Sequence, residues 1–385
     1  MHFSTTTLID IAVILGLLVV PRALQRFRIP SQLTCFLFGV FIFYQPIVQD
    51  RVIAVLATFG IASLFLLAGV EVDLVEIRRQ LPRLTAYLGI RAVILIIIAW
   101  LAVRYMQMSW AAGLLLGLGI LTPSTGFILD TLPGSGLRLE EQSEVTIDAI
   151  AGEIVALAVL FLDTQSSSLG TLALSSLVLV LLIVVTPFFF LFLGKFVVPY
   201  APGSEFSLLL LVGIVCAVIT QNIGVHYLIG AFVAGLVASM LRTRMATLAS
   251  HENLHAVRLF ASFFIPFYFF HEGLKVPSDA LVLPALLWGI GLCVVAIPIR
   301  IGKNWLQARY VWHVNARGAL RISMALTPTL IFTLVIAEIL RDSFHISDAL
   351  YGGLLIYACV TTILPALVLP RLKDTDAALA VENTA

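Results

Sequence analysis

Gly119-Ile120-Leu121-Thr122-Pro123-Ser124-Thr125 and Met324-Ala325-Leu326-Thr327-Pro328-Thr329 carry the same signature, Leu-Thr-Pro-Ser/Thr, in the middle of two long apolar runs. A proline inside a helix removes a backbone donor and strikes the carbonyl one turn back, so a break is expected at each. Within a membrane such a break is tolerated only where hydroxyls or neighbouring helices satisfy the freed carbonyls. Both motifs bring hydroxyls of their own. The two runs lie seven apolar segments apart, so the helices that carry them run in opposite directions. The pattern is that of an inverted repeat, in which two broken helices meet near the bilayer midplane and turn their termini toward an ion.

Composition supports a membrane setting. Of 385 residues, 60% are hydrophobic and only 12% charged, with a mean hydropathy of +1.06. A soluble domain carries about twice that share of charge. These values exclude an ordinary soluble enzyme, a disordered protein and a nucleic-acid binder. Lys+Arg 23 against Asp+Glu 22 leaves no bulk field to draw polyanions. The cysteines (Cys35, Cys216, Cys293 and Cys359) lie far apart in apolar segments and read as small apolar side chains.

Outward from the two motifs, apolar runs bounded by charged or Pro/Gly-marked breaks give about thirteen candidate spans. They cover 7–25, 31–48, 52–72, 83–104, 109–130, 143–163, 168–195, 205–221, 224–241, 257–274, 280–302, 316–340 and 347–370. The first run has no Lys or Arg before it and Arg22, Arg26 and Arg28 after it, the reverse of a cleavable leader. The N-terminus is therefore expected outside. With that orientation Arg78, Arg79, Arg83, Arg138, Lys195, Arg242, Arg244, Arg258, Lys303, Arg309, Arg317, Arg371 and Lys373 join the first three arginines in inner loops. Only Arg51, Arg104, Lys275 and Arg341 fall in outer loops, as the positive-inside rule requires.

Ionisable groups at membrane depth are costly, about 2.5–3.5 kcal/mol each at a helix centre, and so point to function. Glu153 stands mid-helix in Ile150-Ala151-Gly152-Glu153-Ile154-Val155, with Asp148 five residues earlier on a different face. Arg300, just after Pro298, is the deepest base, and Arg91 is its rival. A carboxylate that binds either a cation or a proton, with an arginine limiting the local charge, is the functional reading. A buried Glu–Arg pair that merely orients helices is the bland one.

Three further stretches resemble the cation:proton antiporter-2 family of bacterial Na+/H+ and K+/H+ exchangers. They are Phe59-Gly60-Ile61-Ala62-Ser63-Leu64-Phe65-Leu66-Leu67-Ala68-Gly69-Val70-Glu71-Val72-Asp73, Gly224-Val225-His226-Tyr227-Leu228-Ile229-Gly230-Ala231-Phe232-Val233-Ala234-Gly235, and Phe263-Phe264-Ile265-Pro266-Phe267-Tyr268-Phe269-Phe270 followed by Gly273. The resemblance covers residues 7–370 and implies a homodimeric, multi-pass antiporter of a monovalent cation (Na+ or K+) and a proton in a bacterial inner membrane, with no cofactor. It implies a transporter domain over 1–373, with a moving core within 83–163 and 280–370. A dimerising scaffold lies within 7–72 and 168–274, and 374–385 form a short cytoplasmic tail, so no nucleotide-gated regulatory domain is expected in cis. It maps the ion-site carboxylate to Glu153, where the family has an aspartate after a polar residue and this chain has Gly152-Glu153. It maps a family lysine to Arg300 and places Thr122, Ser124, Thr125, Thr327 and Thr329 along the crossing. Leu330-Ile331-Phe332 stands where many relatives have Gly-Glu-Phe. Because arginine holds its proton, one exchanging carboxylate leads to the expectation of electroneutral 1:1 exchange unless Asp148 contributes.

Other motifs compete. His251-Glu252-Asn253-Leu254-His255 is an HExxH string that would suit a membrane zinc metalloprotease, but no third ligand stands at a recognisable spacing. No metal site is expected, and the string reads as a solvated amphipathic turn. His271 and Glu272, near Lys275, are candidates for a pH-responsive gate or proton relay. An anion symporter or sensor on the same fold is the remaining alternative, since fold does not fix function.

Overall fold

The computed structural model describes residues 5–42, 51–132, 135–166, 168–201, 203–241 and 251–369. Among them there is no strand. The helices are α1 (Thr5–Gln25), α2 (Ser31–Ile42), α3 (Arg51–Val70), α4 (Leu74–Met106), α5 (Trp110–Leu121), α6 (Thr125–Thr131), α7 (Leu139–Gln165), α8 (Leu169–Phe196), α9 (Glu205–Asn222), α10 (Tyr227–Met240), α11 (His251–Leu274), α12 (Leu283–Tyr310), α13 (Ala316–Ala325), α14 (Leu330–Phe344) and α15 (Asp348–Val368). Eight helical stretches are long and apolar enough to cross a membrane, and the α13–α14 pair, bent by 46°, adds another if taken as one span. The part of α1 from Ile11 to Gln25, α2 and α10 are shorter apolar helices. The chain is an all-α, multi-pass membrane protein, and each Pro-marked run is two helices rather than one.

Two boundaries differ from the sequence reading for local reasons. Asp73 caps α4, its Oδ1 accepting from Val75 N at 2.9 Å and Glu76 N at 3.1 Å, so that helix begins nine residues before the apolar run at 83. At the other end of the chain α12 continues to Tyr310 instead of stopping at 302, because Asn304, Gln307 and Ala308 are buried. Lys303 and Arg309, read as loop residues, are therefore helical. The end of the second run (43–48), Arg242, Arg244, Arg371, Lys373, the tail 374–385 and the side chains of Arg51, Arg83, His251 and Glu252 lie outside the described residues.

The described residues fall into two compact units. The first draws on Met1–Leu24, Thr34–Glu76 and Leu157–Lys275, the second on Gln25–Leu33, Ile77–Ala156 and Val276–Ala385. In the first unit, helices meet at reciprocal glycines. A methyl on Gly39 of α2 would strike the α11 backbone at Phe270, and one on Gly273 of α11 would strike α2 at Phe36. Gly69 of α3 and Gly235 of α10 stand in the same relation, each facing the other's backbone. Without a hydrophobic drive inside lipid, such close approach is what packs helices together.

The second unit is built around the two breaks. α5 ends at Leu121 and α6 starts at Thr125; α13 ends at Ala325 and α14 starts at Leu330. Buried helix ends leave orphan carbonyls and amides that must find partners. Across the crossing, Ser124 N donates to Pro328 O at 2.8 Å, and Ile331 N donates to Ser124 Oγ at 2.9 Å. Thr333 Oγ1 donates to Gly119 O at 2.7 Å, and Tyr357 of α15 donates its hydroxyl to Ile120 O at 2.9 Å. Each break is thus stitched by the other.

Candidate functional site

Charged groups gather round these breaks. Glu153 is 2% exposed and Asp148 1%, both on α7 within the second unit. Arg91 of α4 donates from Nη2 to Thr122 Oγ1 at 2.8 Å. Its Nη1 lies against Gly152, where a methyl group would collide with the guanidinium, and Pro123 closes the same spot. Gly152 is therefore the position at which α7 admits Arg91, one residue from Glu153. Nη1 itself makes no hydrogen bond among the described residues, and neither does the buried Thr125 hydroxyl at the start of α6.

Arg300 of α12 serves the other break. Its Nη2 donates to Leu326 O at 2.9 Å and its Nη1 to Thr327 O at 2.7 Å and to the Tyr357 hydroxyl at 3.1 Å. A cation at a helix C-terminus satisfies the last carbonyls and complements the dipole. A hydroxyl ladder completes this side. Thr327 Oγ1 bonds Met324 O at 2.7 Å and Thr361 O at 3.4 Å, and Thr329 Oγ1 meets Thr361 Oγ1 at 3.0 Å.

Thr122, Ser124, Thr125, Thr327, Thr329, Glu153, Asp148 and Arg300 are all buried and all belong to the second unit. His271 and Glu272 belong to the first unit, where Lys275 Nζ donates to Glu272 at 2.9 Å. His226 stacks on Tyr227, with 4.6 Å between ring centroids. The HENLH string opens α11, and its His255 is exposed. Sequence reasoning overlooked Tyr357, Thr333 and Thr361, for which one more polar residue in an apolar helix is a weak signal. It also overlooked a stripe on α12. Asn304 and Gln307 are buried there, and Gln307 Nε2 donates to Asp148 Oδ1 at 3.4 Å. The spacing 300, 303/304, 307 marks one helical face, but only if the helix is known to continue past the apolar run.

Crossed half-helices with polar and charged groups at their breaks are an arrangement found in secondary transporters. Residues 11–372 match the family described as sodium/hydrogen exchanger, transmembrane, and the chain belongs to it. It is 24% identical over 368 residues to a Na(+)/H(+) antiporter of Enterococcus hirae, covering 90% of this chain and 92% of that one. It is 23% identical to a probable Na(+)/H(+) antiporter of Methanocaldococcus jannaschii over 91% of this chain and 92% of the relative. The fold is similar to that of the sodium proton antiporter MjNhaP1 from M. jannaschii, with a TM-score of 0.65, 17% identity and coverage of 96% of this chain and 95% of that one.

Proposed function

We propose that the protein exchanges a monovalent cation, Na+ or K+, for a proton by alternating access, with Glu153 as the carboxylate for which the two compete. The observation that carries this reading is the burial of Glu153 beside the one glycine that admits Arg91 to the first break. Family membership and the antiporter names of the relatives support the ion pair. The cation is held by Glu153 with hydroxyl oxygens at the breaks, Thr125 Oγ1 first among them because it makes no hydrogen bond among the described residues. Protonation of Glu153 displaces the cation. The empty, charged site is the costly one to carry through the barrier, which couples the two fluxes.

In this reading the second unit is the moving core and the first the dimerising scaffold. About thirteen spans, with the N-terminus outside, cross a bacterial inner membrane, and the protein works as a homodimer. Arg300 acts as the fixed charge of the second break. Asp148 lies on the proton's route, and His271 and Glu272 respond to pH at the far end of α11. The test is cation-driven pH change in proteoliposomes over a series of alkali ions. Exchange with Na+ or K+ that vanishes in Glu153→Gln supports the reading; undiminished exchange by that variant removes Glu153 as the carrier.

A further inference from the structure

A cavity of about 400 Å³ opens within the second unit, away from Glu153 and the arginines of the breaks. Its wall runs from the α1–α2 turn over the end of α6 to Ala325, which closes α13, and to the last turns of α15. That volume is typical of a small-molecule site. Among the described residues that line it Arg28 is the one charged group, so the cavity does not attract the cation. Arg28 has a φ of +65°, a left-handed conformation that residues other than glycine rarely adopt, and its amide donates to Gln25 O at 3.0 Å. Among the described residues its side chain makes one long hydrogen bond, from Nη1 to Ala366 O at 3.4 Å. A guanidinium has five N–H donors, so most of them are left for a ligand.

The hydroxyls of the cavity have the opposite character. Thr131 Oγ1 donates to Phe127 O at 3.0 Å, Ser135 Oγ to Leu132 O at 2.6 Å and Thr362 Oγ1 to Ala358 O at 2.6 Å. With their protons committed, they offer lone pairs to a donor. Ile29, Phe127, Leu132 and Leu369 supply apolar wall between the polar groups. Phe27, on the same turn as Arg28, is 65% exposed with the Arg26 guanidinium 5.4 Å from its ring centroid. An exposed aromatic beside bases is the composition of a membrane–water boundary.

We infer that this cavity binds the headgroup of an anionic phospholipid of the phosphatidylglycerol kind. Its phosphate lies on Arg28, and its headgroup hydroxyls donate to Thr131, Ser135 and Thr362. A free phosphate would use the arginine but neither the lone pairs nor the apolar wall. The lipid braces the end of α6 against the ends of α13 and α15, and so steadies one half-helix of each break. In the proposed orientation these ends lie at the inner leaflet, where basic pockets between helices receive anionic headgroups. The inference draws on that orientation and not on the ion chemistry at Glu153.

The test is lipid binding by the purified full-length protein in neutral detergent, counted by native mass spectrometry. Phosphatidylglycerol, phosphatidylcholine and glycerol 3-phosphate are added in separate titrations. One phosphatidylglycerol per protomer is expected to bind saturably and to raise the unfolding midpoint, whereas the other two do neither. Arg28→Gln is expected to weaken that binding about tenfold, while Arg26→Gln leaves it unchanged. Ala366→Leu, which fills the cavity and keeps Arg28, is expected to abolish it. A lipid-free unfolding midpoint close to that of the wild type shows that each variant is folded. Equal losses in Arg28→Gln and Arg26→Gln would mean diffuse attraction to basic residues and overturn the site. Undiminished binding by Ala366→Leu, or equally tight binding of glycerol 3-phosphate, would overturn it too. Cation-driven exchange is measured separately, and its absence in the wild type counts against the exchanger reading alone.

Discussion

Among the described residues Arg91, at the first break, gives a single hydrogen bond, and its acceptor is a side-chain hydroxyl, Thr122. At the second break Arg300 gives three, two of them to main-chain carbonyls. The two breaks share Leu-Thr-Pro and arise from matched positions in the repeat, but they are satisfied differently. The second is closed: carbonyls, Tyr357 and the threonine ladder through Thr361 take up its donors and acceptors. The first is left with an uncommitted guanidinium nitrogen and an uncommitted hydroxyl, Thr125, close to the α7 segment that carries Glu153. Symmetry supplies two half-helix termini aimed at one place, and the departure from symmetry decides which of them does the chemistry. In the proposed reading the first break is the exchanging side and the second its seat.

Substitutions that treat the sides separately sharpen the contrast. The largest effect is expected at Glu153. Glu153→Gln reduces cation-driven exchange in proteoliposomes to background while the protein remains folded, because an amide has no proton to trade; Glu153→Asp keeps part of the activity. Next comes Arg300→Met, which strands two carbonyls and removes one of the two hydrogen bonds at the Tyr357 hydroxyl. It is expected to lower stability by about 3 kcal/mol, read from the unfolding midpoint in detergent, against about 1 kcal/mol for Arg91→Met. Equal losses would erase the distinction between seat and exchanging side.

Gly152→Ala drives a methyl into Arg91 and is expected to cost about 1–3 kcal/mol. In an Arg91→Ala background most of that cost disappears, a non-additivity that a double-mutant cycle measures. The smallest effects separate the hydroxyls. Thr361→Val breaks a made hydrogen bond and is expected to lower stability by about 1 kcal/mol with unchanged apparent affinity for the cation. Thr125→Val removes a hydroxyl that makes no hydrogen bond among the described residues, so stability holds while apparent cation affinity falls several-fold.

The matched Leu-Thr-Pro motifs made the broken helices legible, because proline chemistry is local and acts wherever the chain goes. Glu153 and Asp148 stood out because a carboxylate in an apolar run has few bland explanations. Arg300 was legible as a deep base, but its work was not: only the fold places Leu326 O and Thr327 O under its guanidinium. Lys303, Asn304 and Gln307 were hidden for a physical reason. A helix that buries polar residues near its end reads, by hydropathy, as a loop, and the boundary drawn at 302 put Lys303 among the solvent-facing charges of the inner side. The role of Gly152 was invisible too, since a glycine beside a carboxylate carries no sign of the arginine that packs against it from another helix.

Competition at Glu153 is the central claim, and proton release tests it most directly. Na+ added to purified protein in weakly buffered solution, near the pH at which Glu153 is half-protonated, displaces protons only where cation and proton share a group. Wild type is expected to release protons up to about one per protomer, saturating with Na+, whereas Glu153→Gln releases none. Equal release from wild type and Glu153→Gln would contradict the account.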